Sequence, residues 1–254
     1  MFENATAEGI HQNVSAILSG RGDIRGKFVI DLACGDGRST YLLRNLGATV
    51  APYDILPESY KLSDKAKYAN TNEPLPIDSK SADLVILQEV IEHLPNQLFA
   101  LQEIYRVLKN GGELFLTTPN RSCLVSKLAF MCFESEHLRG TPVSAVESVW
   151  GQDETGEKKY YAHLFLIGIQ QLRTLAMVAG FKSIEMKRSD ISTSSLWLML
   201  LFYPVILLVS LFALGQCFRK SKQSARRREK LSQFWLNINP KNMTSKYLIA
   251  YLVK

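Results

Sequence analysis

Cysteine is scarce in this chain and is not arranged for metal or disulfide chemistry: Cys34, Cys123, Cys132 and Cys217 lie scattered through 254 residues. That spacing argues against zinc and fits a reducing compartment, so no metal centre is expected. The stretch Met1 to Ser19 lacks the apolar core of a cleavable signal, and none is expected. A general excess of positive charge is also missing. The net charge of +6 resides in Arg219 to Lys230, where seven basic residues face Glu229 alone and leave 23 basic against 23 acidic residues elsewhere. A face built for a nucleic-acid backbone would itself be basic, so no nucleic-acid partner is expected. With 46% hydrophobic and 21% charged residues the chain is not disordered as a whole, and its length suits one α/β domain with a smaller addition.

What is present centres on Phe28-Val-Ile-Asp-Leu-Ala-Cys-Gly-Asp-Gly-Arg-Ser-Thr40. The apolar run Phe28 to Leu32 has the length and residue types of a buried parallel strand, and a helical pattern begins near Arg38. Between them Gly35 and Gly37 let backbone approach a ligand at the carboxyl end of a sheet. A dinucleotide fingerprint would want a third glycine where Thr40 stands. Ala48 to Tyr53 reads as a second strand ending in Asp54, a carboxylate placed to accept hydrogen bonds from ribose hydroxyls. An exposed turn aspartate is the plainer alternative.

Two further segments fall in register behind these. Strand four, Ala82 to Leu87, runs into Gln88-Glu-Val-Ile-Glu-His-Leu-Pro95, and a helix with Leu98, Leu101, Ile104, Tyr105 and Leu108 on its buried face ends at Lys109-Asn-Gly-Gly112. Strand five, Glu113 to Thr118, is closed by Pro119-Asn120. Together the three segments resemble the class I S-adenosylmethionine-dependent methyltransferases, and Glu89 to Leu94 is similar to their quinone- and small-molecule-directed subgroup. The Asn/Asp-Pro-Pro-aromatic turn of amino-directed nucleic-acid methyltransferases is absent. The resemblance implies an α/β fold: a doubly wound, mostly parallel, seven-stranded Rossmann-like sheet whose last strand is antiparallel and lies between strands five and six.

The resemblance also implies S-adenosyl-L-methionine as cofactor, held by Asp31, Ala33, Gly35, Gly37, Asp54, Asn70, Thr71 and Gln88. Asn70 stands where the family has an adenine-binding aspartate, and its side-chain oxygen can still accept a hydrogen bond. Two histidines are candidate bases. His93 would share a face with Glu89 if that segment is helical, and His163 would open the family's penultimate helix, which ends at Gly180-Phe181. Packing or capping serves equally as an account of either. The N-terminal helix around Ile10, Val14, Ile17 and Leu18 either caps the cofactor pocket or packs on the sheet.

The chain divides by this reading into an N-terminal helix (1–26), a core (27–188) carrying a lid insertion (121–161), a membrane-associating insertion (189–245) and a closing strand (246–254). Phe181 to Lys187 is the expected sixth strand. Within the last insertion Leu196 to Leu214 carries no charge, which matches a bilayer core in length. A single complete crossing would strand the closing strand on the wrong side of the membrane. Pro204 is therefore expected to bend the segment into a re-entrant hairpin, or else the segment lies in plane; a true single pass that abandons the closing strand is the competing topology. The basic run suits anionic lipid, so residues 196–230 are the expected contact with the cytoplasmic face of a membrane. The activity expected is O-methylation of an amphipathic or lipid-linked acceptor, glycan or quinone-type, with glycans slightly ahead because the lid is polar. A soluble-substrate methyltransferase merely anchored there, and a non-catalytic cofactor-binding adaptor, are the rivals.

Overall fold

The computed structural model describes residues 3–135, 144–152, 159–220 and 223–254. Its centre is a seven-stranded sheet built from β1 (Phe28–Leu32), β2 (Thr49–Asp54), β3 (Lys67–Tyr68), β4 (Ala82–Gln88), β5 (Leu108–Pro119), β8 (Ser183–Lys187) and β9 (Tyr247–Val253). A separate hairpin of β6 (Val149–Gln152) and β7 (Lys159–Tyr161) belongs to the lid insertion. The sheet order is β3-β2-β1-β4-β5-β9-β8, with the first five parallel and β9 antiparallel to both its neighbours. This is the doubly wound arrangement that the sequence implied. The winding reverses direction at β1, so a crevice opens beyond its carboxyl end and that of β4.

Alternation along the strands sorts the core into two layers. Val29, Leu84, Ile86, Phe115, Ile249 and Tyr251 face α1 (Glu3–Ser19) and α2 (Arg38–Asn45). Ile30, Leu32, Val85, Leu87, Leu114 and Leu116 face α3 (Gln97–Val107) and α5 (Ile169–Ala179). Ile10, Val14 and Leu18 recur at helical spacing and are buried on the first layer, so α1 packs on the sheet. Strand β5 is longer than the expected Glu113 to Thr118. It begins at Leu108 because Lys109-Asn-Gly-Gly112 continues the ladder through a register shift opposite Ala82 and Leu84. Gly112 must be glycine there, since a Cβ would lie 3.0–3.2 Å from three carbonyl oxygens.

The segment after β8 departs from expectation. Thr193–Lys220 forms one unbroken helix, α6, that packs on α4 (Leu124–Phe133) and is followed by α7 (Ser224–Ile238) and α8 (Pro240–Thr244). Pro204 lies inside α6 and does not divide it; the ring costs one backbone hydrogen bond, and the flanking turns hold. The hairpin is formed instead between α6 and α7. Strand β9 then enters the sheet between β5 and β8, buried almost throughout, which rules out the topology in which residues 246–254 are an external tail.

Candidate active site

The glycine turn is shaped by its own backbone. Ala33, Gly35 and Gly37 have φ of 61°, 52° and 92°, so three of five consecutive residues are left-handed. Gly37 meets the domain: a Cβ there would come within 2.8 Å of the Tyr60 ring and 3.0 Å of Leu62. Gly35 meets nothing within 4 Å. The two glycines are required for different reasons, packing at one and open space over the crevice at the other. Gly37→Ala should cost about 2 kcal/mol of stability from the positive φ and the clash. Gly35→Ala should cost about 1 kcal/mol, from φ alone, and weaken the cofactor far more than the fold. Chemical denaturation and cofactor titration of both variants read the difference; equal losses of stability would contradict it.

Asp54 organises this turn. Its Oδ2 accepts the Gly35 N–H at 2.8 Å and its Oδ1 the Leu56 N–H at 2.8 Å. A carboxylate has about four acceptor positions, so two remain for a ligand. Asp31 is 1% exposed and its carboxylate accepts the Thr40 hydroxyl at 2.6 Å. Burial pushes its pKa up to about 6, and the Thr40 bond opposes that rise. Buried and engaged in this way, Asp31 ties β1 to the first turns of α2 and is a support of the turn. Asn70 closes an Asx turn, its Oδ1 accepting the Asn72 N–H at 3.0 Å and its Nδ2 donating to Glu73 at 3.3 Å. Thr71 sits half-buried at the head of that turn. Gln88 donates to Ser39 Oγ at 2.6 Å, while its Oε1 is buried with no partner among the described residues.

Beyond β4 the chain is not the helix that would put Glu89 and His93 on one face. Glu89 takes φ 50° and Ile91–His93 is a single 3-10 turn. That turn is laced to the segment before α5. Phe165 N–H donates to the Glu92 carbonyl at 2.9 Å, Gln97 Nε2 donates to the Phe165 carbonyl at 2.6 Å, and His93 Nδ1 meets the Tyr161 carbonyl at 2.7 Å. The last contact makes Nδ1 the protonated nitrogen of His93. Helix α5 starts only at Ile169, so His163 precedes it instead of opening it. The lacing brings the two histidines together, with ring centroids 5.0 Å apart and edge to face.

Glu92 was not singled out by its sequence, and it is the most unusual group of the site. Its side chain is fully buried, Oε2 accepts the Thr118 hydroxyl at 2.8 Å, and Oε1 has no hydrogen-bond partner among the described residues and lies 3.9 Å from His163 Nε2. Desolvation raises its pKa to about 8, with the neighbouring Glu89 charge adding to the rise and His163 opposing it. One ligand atom from each of Glu92, His93 and His163 falls within 4.8 Å of the others, a cluster that the cysteine spacing gave no reason to expect.

The methyltransferase domain family matches residues 30–116, which run from β1 into β5 and contain the whole glycine turn, Asp54, Gln88 and Glu92. Ubiquinone biosynthesis O-methyltransferases are similar to the same part. The mitochondrial rat enzyme is 32% identical over 114 residues, 40% of this chain and 33% of its own length. That of Xanthomonas oryzae is 31% identical over 125 residues, 44% of this chain and 51% of its own. The whole fold is shared with a SAM-dependent methyltransferase from Archaeoglobus fulgidus, at a TM-score of 0.54 and 16% identity over 96% of this chain and 94% of that one. These likenesses support a class I S-adenosylmethionine-dependent methyltransferase. The matches to the two O-methyltransferases cover between a third and about half of their length. A Haemonchus contortus phosphoethanolamine N-methyltransferase crystallised with S-adenosyl-L-methionine shares the fold at a TM-score of 0.50 and 20% identity, over 96% of this chain and 52% of that one.

S-adenosyl-L-methionine is the cofactor that a methyltransferase domain of this fold implies. The residues present fit it. Open space stands over Gly35, the Gln88 carbonyl oxygen is buried without a partner among the described residues, and Asp54 keeps acceptor capacity at the end of β2.

Proposed function

We propose that this methyltransferase transfers a methyl group to a hydroxyl of a lipid-linked acceptor at the cytoplasmic face of a membrane, and that a quinone-type phenol is the acceptor. The observation that carries the reading is the pair formed by His163 and the buried Glu92, beside the carboxyl ends of β4 and β5. Bound across the ends of β1 and β2, the cofactor supplies a methyl carbon already activated by its sulfonium charge. The chain's own task is then to align the acceptor, exclude water and take one proton.

His163 is the base in this scheme. Its side chain is 42% exposed and so open to the acceptor side, while Glu92 stands behind it and, when ionised, favours the imidazolium that forms as the hydroxyl proton arrives. His93 packs edge to face on His163 and, through Tyr161, holds the segment that carries it, so it is a positioning residue. Asp54, with the glycine turn it holds, would take the cofactor ribose. Gln88 Oε1 and the Asx turn at Asn70 and Thr71 would meet its remaining polar groups. Asn70 in place of an aspartate is the feature that would favour a non-catalytic adaptor; an Asx turn at that position gives it an ordinary structural use.

The choice of a phenol over a glycan comes from α4. This helix follows β5 directly at the end of the sheet where the crevice opens, and its last turn, Phe130-Met131-Cys132-Phe133, is exposed and apolar. The Arg121 guanidinium stacks 3.8 Å from the Phe130 ring and donates to the Leu166 carbonyl, which joins α4 to the segment bearing His163. The polar lid residues that favoured glycans include 136–143 and 153–158, which lie outside the described residues. Transfer of labelled methyl from the cofactor to a membrane lipid extract tests the proposal. Label in a prenylated phenol is the expected result. Label only in water-soluble products would favour an anchored enzyme with a soluble substrate, and cofactor binding with no labelled product in either pool would favour the adaptor.

A further inference from the structure

Helix α6 is long and apolar enough to cross a membrane, yet its attachments do not allow it to leave the domain. A helix of 28 residues is about 42 Å long. A half-buried stripe runs along it through Leu198, Phe202, Ile206, Ser210, Leu214 and Phe218, so one face rests on the protein from end to end. Both ends are fastened. At the start, the Ser195 hydroxyl contacts Cys123 Sγ at 2.8 Å and accepts the Val125 N–H at 3.1 Å, which pins α6 to α4. At the far end, α7 turns back: Arg227 donates to the Phe218 carbonyl at 3.1 Å and Asn237 to Ser210 Oγ at 2.8 Å. Helix α7 is in turn clamped to α5, through Arg173 Nη2 to Glu229 Oε2 at 3.0 Å and Gln170 to the Gln233 carbonyl at 2.6 Å. Because α5 packs on the sheet, carrying the end of α6 to the opposite side of a bilayer would tear these bonds.

Between Trp197 and Phe212 the other face of α6 has no polar or charged side chain to hold water. Trp197, Leu200, Leu201, Val205, Leu208 and Phe212 form one stripe, and Trp197, Leu200 and Phe212 are 71%, 70% and 68% exposed. A contiguous apolar surface of this length on a soluble face marks an interface. Its occupant is indicated by charge. Arg219 and Lys220 end α6, and Arg226, Arg228 and Lys230 begin α7 beside them. Glu229 is the acidic residue within the run, and Arg173 engages it. Cations placed at one end of an apolar stripe complement anionic phospholipid headgroups.

We infer that α6 lies flat in the cytoplasmic leaflet of an anionic phospholipid membrane, with the Trp197-to-Phe212 stripe among the acyl chains and the Arg219-to-Lys230 cations on the headgroups. This rests on the membrane-face reading above and adds its geometry. Helix α4, fastened to α6 at its first turn through Ser195, would then present its exposed last turn at the same surface beside the acceptor side of the site. An acceptor dissolved in the leaflet would reach His163 without crossing water.

Tryptophan depth in vesicles tests it on the full chain. With Trp150 and Trp235 replaced by Phe, Trp197 is read alone; Trp197→Phe combined with Val205→Trp or Phe212→Trp reads the middle and far end. Vesicles of phosphatidylcholine with phosphatidylglycerol, carrying shallow or deep nitroxide labels, should quench all three positions at one shallow depth. Binding should fall at least about tenfold without phosphatidylglycerol, and similarly for Leu200→Glu with Leu208→Glu, as several headgroup contacts of about 1 kcal/mol each are lost or the apolar stripe is charged. Position 205 deepest with 197 and 212 shallow would mean a crossing and overturn the inference. So would a dimer in sedimentation whose Trp197 is shielded without lipid and which ignores vesicles. Cofactor binding by calorimetry is expected to be unchanged in every variant, so a failure here is separable from a failure of the methyltransferase reading.

Discussion

Glu92→Gln should make the protein more stable above pH 8 and a poorer catalyst. The carboxyl is protonated in the folded state up to about pH 8 and in the unfolded chain only up to about 4.5, because burial disfavours its charge. Between those values the folded state holds the extra proton, so stability falls as pH rises through the window and the penalty is complete above it. Asp31, raised to about 6 by its own burial, acts with the same sign below neutrality. A neutral amide at position 92 removes the larger of these costs, on the order of a few kcal/mol. The variant should melt several degrees above the parent at alkaline pH and close to it near pH 4. Activity moves the other way. Ionised Glu92 favours the His163 imidazolium, so turnover of a short-chain prenylated catechol should climb with pH towards about 8 in the parent. In Glu92→Gln turnover should be lower by about 10- to 100-fold, with that inflection gone. A variant that keeps both the parent pH–rate profile and the parent pH–stability slope would show that Glu92 is not coupled to His163.

The fold was legible because its signals are local. An apolar run stopped by Gly35 and Gly37, a carboxylate at Asp54 and the segment from Gln88 to Pro95 each lie within a few residues, and their order leaves one sheet topology. Two features were not legible, for related reasons. The pairing of His163 with Glu92 depends on hydrogen bonds between residues some seventy positions apart, such as Phe165 N–H to the Glu92 carbonyl. The only local hint was a glutamate set among Val90, Ile91 and Leu94. The course of α6 is likewise set by distant residues. Hydropathy and Pro204 describe the segment by itself, whereas its path is decided by Ser195 against Cys123 at one end and Arg173 against Glu229 at the other. Asp31 shows the converse case, a motif position found at once whose carboxylate turns out to support the turn.

Asp54→Ala should abolish useful cofactor binding while leaving a folded protein. In the parent the carboxylate accepts two part-buried backbone N–H groups, from Gly35 and Leu56, and these lose their acceptor in the variant. Leaving such donors unsatisfied costs about 1–3 kcal/mol, which a core of this size tolerates. The cofactor suffers twice. By the proposed ribose contact it loses two charge-assisted hydrogen bonds, each about 1.5–3 kcal/mol, and it meets a glycine turn no longer held in its left-handed geometry. At 1.4 kcal/mol per tenfold, affinity should fall by at least about 100-fold. Asp54→Asn separates the two effects, because its one oxygen can keep the Gly35 bond while the charge is gone. It should recover most of the stability and only part of the affinity. Calorimetric titration alongside thermal melts of the three proteins reads both quantities. If Asp54→Asn binds cofactor as tightly as the parent, the carboxylate serves the turn alone and the ribose is held elsewhere.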